Sequence, residues 1–179
     1  MKRKFFSFWA LICAFVSLAA TAPKDAPYRI EVKMTDIKDT SKVFLAFYYN
    51  GKTYSKDTAQ FNGKGVAVFD GSKRKDKEKQ RLEEGMYIVY FKQDKFFDLL
   101  VGKDQNIKLK ADTTDLTPVV TQGEESVYFS KLVKFMSDKN KERKDFVEAK
   151  KAGKIDSVTF EAKLKKLSDE VEAFQKKEI

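Results

Sequence analysis

Carboxylates are the side chains in this sequence that recur at spacings suited to acid–base work. Asp36 with Asp39, Asp112 with Asp115, and Glu83 with Glu84 each stand close together. A general acid and a general base need two such groups in one cleft, with their pKa values pushed apart by different surroundings. None of the pairs has the alternating oxygen ligands and turn glycine of a calcium loop, so each is read as surface charge. The chain has no histidine, and Cys13 is its single cysteine. Ser-His-Asp and Cys-His nucleophile pairs are thereby excluded, and a transition-metal site would have to use carboxylates alone. A lysine-assisted serine is the nucleophile that composition still permits, but neither a GxSxG elbow nor an SxxK motif is read in support of it. The sequence nominates no catalytic, cofactor-binding or metal-ligating residue, and no cofactor is expected.

Two patches carry binding chemistry instead. Lys73 to Arg81, KRKDKEKQR, holds six positive and two negative charges in nine residues. Such a cluster attracts anionic lipid, an acidic envelope polymer or an acidic protein partner through counterion release. The plainer reading, which we favour, is a solvated loop too hydrophilic to pack. No aromatic side chain interleaves with these charges, so the stacking part of a single-stranded nucleic-acid site is missing. The second patch is aromatic: Phe44, Phe47, Tyr48, Tyr49, Tyr54, Phe61, Phe69, Tyr87, Tyr90, Phe91, Phe96 and Phe97 crowd one stretch of chain. A concave tyrosine surface suits sugar or peptide. Alternation along strands would place about half of these rings in a core and the rest on a second face that helices can cover.

The elements that must position these groups follow from hydrophobic period. Tyr28 to Met34 alternates, with Ile30, Val32 and Met34 on one face, as in a half-buried strand. Val43 to Tyr49 is apolar on both faces and reads as a central strand. Asn50-Gly51 tolerates positive φ at both positions and returns the chain through Thr53 to Phe61 as a type I′ hairpin. Asn62-Gly63 is read as the same device before Val66 to Phe69. Met86 to Phe91, Phe96 to Val101, Ile107 to Ala111 and Thr117 to Thr121 continue the series, with turns at Lys92 to Lys95 and Gly102 to Asn106. Seven or eight short strands at this spacing predict an antiparallel β-sandwich over residues 23–121.

Past Gly123 the period lengthens to about 3.6 residues. Glu124 and Glu125 favour a helix start, and Phe129, Leu132, Val133, Phe135 and Met136 form its stripe. Polar residues from Ser137 to Lys144 weaken the middle of that helix, which is expected to run to Gly153. Asp156 or Ser157 caps a last helix striped by Phe160, Leu164, Leu167, Val171 and Phe174. Residues 122–179 therefore read as a helical hairpin, joined through a linker at Leu116 to Gly123. Its stripe is expected to pack on the sibling helix or the sheets, with docking to a partner as the alternative.

The first 22 residues read as a secretory signal. Lys2, Arg3 and Lys4 precede the apolar run Phe5 to Leu18 and the small residues Ala19 to Ala22. The run is short for a bilayer span, and no stop-transfer segment follows it. Ile12 and Leu11 before Cys13 lack the small residue of a lipid-anchored cysteine. Cleavage at this segment takes three positive charges, lowering the formal net charge from +9 to +6. It also takes the only thiol, so packing rather than disulfides must hold the exported fold. The remaining charges, lysines and acids, are spread throughout, which suits a solvated surface in the periplasm, the cell envelope or the medium, where nucleic acid is not the expected partner.

The order of these features carries a resemblance. VFLAFYYNGKTYSKDTAQF (Val43 to Phe61), GMYIVYFKQDKFFDLLVGKDQNIKLKAD (Gly85 to Asp112) and QGEESVYFSKLVKFMSDKN (Gln122 to Asn140), behind a signal peptide, resemble secreted Bacteroidota proteins. In those, a β-rich accessory domain of unassigned function and a helical segment precede a thioredoxin-like domain of the AhpC/TSA or redoxin type. The resemblance implies a periplasmic or cell-envelope accessory domain of a thiol-disulfide oxidoreductase. The family's redox pair, Cys-x-x-Cys, lies in the thioredoxin-like domain and has no counterpart here, so no functional residue is carried over. The expectation is a non-catalytic module that acts by surface recognition or by positioning a domain or subunit, with the C-terminal helices contacting a protein partner or a following thioredoxin-like domain. The alternatives are an N-terminal fragment of such an oxidoreductase, or a module that binds envelope glycan or peptide.

Overall fold

The computed structural model describes residues 26–92 and 95–178. The secretory segment with Cys13, and the turn centre at 93–94, lie outside the described residues. Among the described residues eight strands form two four-stranded sheets, and two helices follow them. The strands are β1 (Arg29–Met34), β2 (Lys42–Tyr49), β3 (Lys52–Gln60), β4 (Val66–Asp70), β5 (Gly85–Lys92), β6 (Lys95–Val101), β7 (Asn106–Ala111) and β8 (Val119–Gln122). The helices are α1 (Glu124–Lys151) and α2 (Ser157–Glu178).

One sheet has the order β3-β2-β5-β6 and is antiparallel throughout. The other has the order β4-β1-β7-β8, and in it β1 runs parallel to β7, with Ile30 opposite Ile107 and Val32 opposite Leu109. The expectation of a wholly antiparallel sandwich is therefore corrected: this sheet is mixed. Alternation tells which face of a strand is buried but not which way its neighbour runs. Here the chain builds the whole of the other sheet between β1 and β7, a separation long enough for a parallel return.

The inward positions of both sheets meet in one core. Ile30, Val32 and Met34 of β1, Ile107 and Leu109 of β7, and Phe69 of β4 face Val43 and Leu45 of β2, Val89 of β5, and Phe97 and Leu99 of β6. Burying each such side chain contributes about 1.5–3 kcal/mol, and the period of two puts them on one side without exception.

The Asn50-Gly51 turn has positive φ at both residues, 49° and 71°, as a type I′ hairpin requires. Asn62-Gly63 does something else. It links β3 to β4, which lie in different sheets, so it is a crossing between sheets and not a second hairpin. Asn62 Oδ1 accepts from the backbone N–H groups of Lys64 and Val66 at 3.0 and 3.1 Å, ordering the crossing. Gly65, at φ 73°, lets it approach β1: a Cβ there would stand 2.0 Å from the Met34 carbonyl oxygen.

The first turns of α1 close the opening between the edge strands β6 and β8. Ser126 Oγ donates to the Leu100 carbonyl at 2.6 Å. Buried Ser130 donates to the Pro118 carbonyl at 2.5 Å and accepts from the Val120 N–H at 3.2 Å. These serines join two strand edges whose backbone groups would otherwise lack partners. Beyond that point α1, about 42 Å long, continues unbroken through Ser137 to Lys144. It ends in a Schellman arrangement, with Lys154 N–H donating to Ala149 O at 2.9 Å and Gly153 N–H to Lys150 O at 3.0 Å. Asp156 caps α2 by accepting from the Thr159 N–H at 2.7 Å. The helices form the expected hairpin: Phe135 and Phe174 stack with centroids 4.1 Å apart, and Lys139 pairs with Glu142 and Glu170.

Candidate functional site

The aspartate pairs are occupied as loop braces, whereas Glu83 and Glu84 are exposed. Asp36 accepts from both the backbone N–H and the hydroxyl of Thr113. Asp112 Oδ1 accepts from the N–H and hydroxyl of Thr114 and from the Asp115 N–H, at 2.7–2.8 Å. The fold thus brings Asp36 and Asp112 to either side of Thr113, a proximity their sequence numbers do not reveal. The Thr113 hydroxyl holds Asp36 below the usual carboxylate range, and the Asp115 and Thr114 N–H groups with the Thr114 hydroxyl do the same for Asp112. Both remain ionised near neutrality, whereas a general acid must hold its proton there. Asp39 accepts from the Ser41 N–H and Asp115 from the Thr117 N–H, again as turn residues.

Ser72 and Lys75 do match the SxxK spacing of a lysine-assisted serine, which corrects the reading that no such motif is present. The Ser72 hydroxyl donates to Asp70 Oδ1 at 2.6 Å, which engages its proton in the cap of a short 3-10 turn. Among the described residues no group of three or more side chains of metal-ligating type comes together. No helix among them is long and apolar enough to cross a membrane.

The basic segment is ordered, contrary to the expectation of a loop too hydrophilic to pack. Short 3-10 turns span Gly71–Lys73 and Lys77–Gln80. Arg74 reaches back to donate from Nε to Tyr28 Oη at 2.8 Å and from Nη2 to the Lys56 carbonyl at 2.6 Å, and it pairs with Asp57 at 3.0 Å. Tyr28 is fully buried, and its hydroxyl donates to Asp57 Oδ2 at 2.6 Å. Burial, reinforced by the Asp57 carboxylate, pushes the Tyr28 hydroxyl up to about 12. A bulge in β3 opposite Leu45 and Ala46 sets the register that pairs Asp57 with inward-facing Leu45. Arg81 donates to the carbonyls of Ala26 and Lys103 at 2.8 and 2.9 Å. Leu82 and buried Gln105 exchange two hydrogen bonds at 2.8–2.9 Å. The lysines of the segment remain exposed.

The aromatic residues divide between core and surface. Phe61, Phe69, Tyr87, Phe91 and Phe97 are buried, while Tyr48, Tyr49, Tyr54 and Phe96 are exposed. Helical cover does not reach the exposed rings, because α1 packs along the edges of β6 and β8. On the outer face of the β3-β2-β5-β6 sheet, Phe44 stacks on Tyr90 at 4.9 Å.

At the end of the sandwich the inward face of the same sheet carries a ladder of rings. Tyr87 and Phe47 lie 6.2 Å apart, Phe47 and Tyr54 5.8 Å, and Tyr54 and Tyr49 6.4 Å between centroids. The ladder runs from buried Tyr87 to Tyr54 and Tyr49, which are 43% and 60% exposed. Beside it is a recess of about 240 Å³ lined by Phe47, Tyr49, Tyr87, Lys56, Glu83 and Glu84, among others. Lys56 Nζ stands 6.0 Å from the Phe47 ring centroid. Tyr87 Oη donates to the Glu83 carbonyl at 3.0 Å, tying the acidic loop to the ladder. Burial raises the Tyr87 hydroxyl, so it remains a donor at neutral pH.

No protein-family model matches the chain, and no curated protein matches it.

Proposed function

We propose that the chain is an exported, non-catalytic accessory module that positions a partner protein through the α1–α2 hairpin, the partner being a thioredoxin-like domain of the kind the resemblance implies. Export rests on the signal-like first 22 residues. The observation that carries the reading is the state of the hairpin's apolar side chains. In α1 the buried residues are Ser126 and Ser130, both at the sandwich, and no side chain described in α2 is buried. Phe160, Leu164, Leu167, Val171 and Phe174 are half-buried against α1, which leaves their flanks in water. A helix pair gains lasting stability by packing its apolar stripes into a further layer.

The face of α1 beyond the sandwich is suited to supply that layer's contact. Leu132, Val133 and Met136 line an open groove rimmed by Lys141 and Lys144. Its complement is a protein surface with an apolar centre and an acidic rim, since interfaces of this kind are apolar within and polar at the edge. A photo-cross-linking residue at Met136, in the full chain expressed in its own cell, tests the proposal. The expected adduct is a protein carrying a Cys-x-x-Cys thioredoxin-like domain. Failure to cross-link such a domain, with a hairpin as resistant to limited proteolysis as the strands, would overturn it.

A further inference from the structure

We propose that the recess beside the Phe47–Tyr49–Tyr87 ladder is a binding site for a neutral carbohydrate. Three features carry the inference, and none depends on the helical hairpin.

The first is an uncovered aromatic wall. Tyr49 is 60% exposed although it belongs to a continuous ring ladder anchored in the core. Exposed tyrosines at a hairpin tip have no part in packing the sandwich. A ring held by ring neighbours on one side offers a rigid flat surface on the other, at little cost in conformational entropy. The apolar C–H face of a sugar ring fits such a surface.

The second is the rim. Glu83 and Glu84 supply acceptors, and Lys56 supplies a donor, on the same 240 Å³ recess. Hydroxyl groups both donate and accept, so a polyhydroxylated ring uses both signs of charge at once. A cationic side chain is a poorer match: the Lys56 ammonium already stands 6.0 Å from the Phe47 centroid, where an incoming cation would be repelled. An anionic ligand meets Glu83 and Glu84. A neutral ligand meets no uncompensated charge of its own sign.

The third is preorganisation. The hydrogen bond from Tyr87 Oη to the Glu83 carbonyl, at 3.0 Å, fixes the loop carrying the carboxylates against the wall carrying the rings. Sites whose polar groups are held before the ligand arrives lose less freedom on binding.

The test is affinity electrophoresis and calorimetry of the full chain. The probes are neutral hexasaccharides of glucose, mannose, xylose and N-acetylglucosamine, with hexalysine and polygalacturonate as charged comparators. At least one neutral hexasaccharide is expected to bind with millimolar or better affinity. Tyr49→Ala should weaken it about tenfold or more, and Glu83→Gln with Glu84→Gln should weaken it further. Phe96→Ala, at an exposed ring on the sheet's other face, should leave it unchanged. Binding of none of the four hexasaccharides would overturn the proposal. So would binding of hexalysine or polygalacturonate alone, or sugar binding indifferent to Tyr49→Ala.

Discussion

Tyr28→Phe removes one oxygen atom from the centre of the Asp57–Tyr28–Arg74 network, and the consequence can be worked through in pH. In the folded protein the hydroxyl of this buried tyrosine donates to Asp57 and accepts from Arg74. Hydrogen bonds to charged partners contribute about 1.5–3 kcal/mol, so near pH 8 the variant should be destabilised by about that amount. The Tyr28 hydroxyl is raised from 10.0 to about 12. A group whose folded pKa lies above its unfolded value contributes stability that is complete below the unfolded value. That stability is lost as pH rises through the folded one. From pH 9 to pH 12 the wild type should therefore lose about 2 kcal/mol from this group, while the variant loses none of it. The other tyrosines titrate alike in both proteins and cancel in the difference. Urea unfolding followed by far-ultraviolet circular dichroism, at half-unit steps from pH 7.5 to 12, measures the gap. It should stand near 2 kcal/mol at the start and nearly close by pH 12. Curves that stay parallel across the range, or a gap within about 0.5 kcal/mol at pH 8, would show that the network does not hold the basic segment to the sandwich.

Three further substitutions test the crossing, the hairpin turn and the helix joint that shape the sandwich. Gly65→Ala forces a Cβ to 2.0 Å from the Met34 carbonyl oxygen at a left-handed φ, whereas Gly51→Ala, at φ 71°, meets nothing within 4 Å. Calorimetric melting should show Gly51→Ala costing about 1 kcal/mol and Gly65→Ala more than about 3 kcal/mol; equal costs would refute the steric argument. Ser130→Ala leaves the Val120 N–H and the Pro118 carbonyl without their side-chain partner in a buried place. Its expected cost is about 1–3 kcal/mol, with faster hydrogen exchange confined to β8 and the start of α1, and unchanged exchange there would remove Ser130 as the joint between helix and sheets.

The strands were legible because each one with a wet face and a dry face writes that difference into its sequence at a period of two. Ile30, Val32 and Met34 needed nothing else, and Asn50-Gly51 marked a tight turn whose backbone demands it. Pairing across the mixed sheet was not legible. β1 lies between β4 and β7, and which distant strand fills each slot depends on how the two sheets stack, a property no single segment contains. The same limit explains the Asn62-Gly63 misreading: the dipeptide favours positive φ, and Gly63 has it at 74°. Whether the chain then pairs back or crosses to another sheet is decided elsewhere. The aromatic recess was half legible. Its rings stood out as a cluster, but alternation alone could not show that the end of β2 runs past its cover and leaves Tyr49 and Tyr54 in water.

The basic segment shows why charge counts mislead where residue type does not. Its six cations divide by chemistry: both arginines are half-buried with their guanidinium groups bonded, and all four lysines are exposed. A guanidinium presents several donors in a fixed plane, so Arg74 can serve Tyr28, Asp57 and the Lys56 carbonyl together, and Arg81 can span two carbonyls. An ammonium on a flexible stem is more strongly hydrated and gains less by entering such a site. Lys79, among the described residues the one lysine of the segment with an ion pair, meets its near neighbour Asp76 at 2.9 Å on the surface. The segment is thus a strap whose arginines fasten it and whose lysines form its outer charge. Neutralising Lys73, Arg74 and Lys75 as a block would confuse these roles, because loss of Arg74 strands Asp57 and Tyr28 beneath it. Any polyanion bound here would be held by the lysines, and its affinity should follow Lys73, Lys75 and Lys77 while the fold follows Arg74 and Arg81.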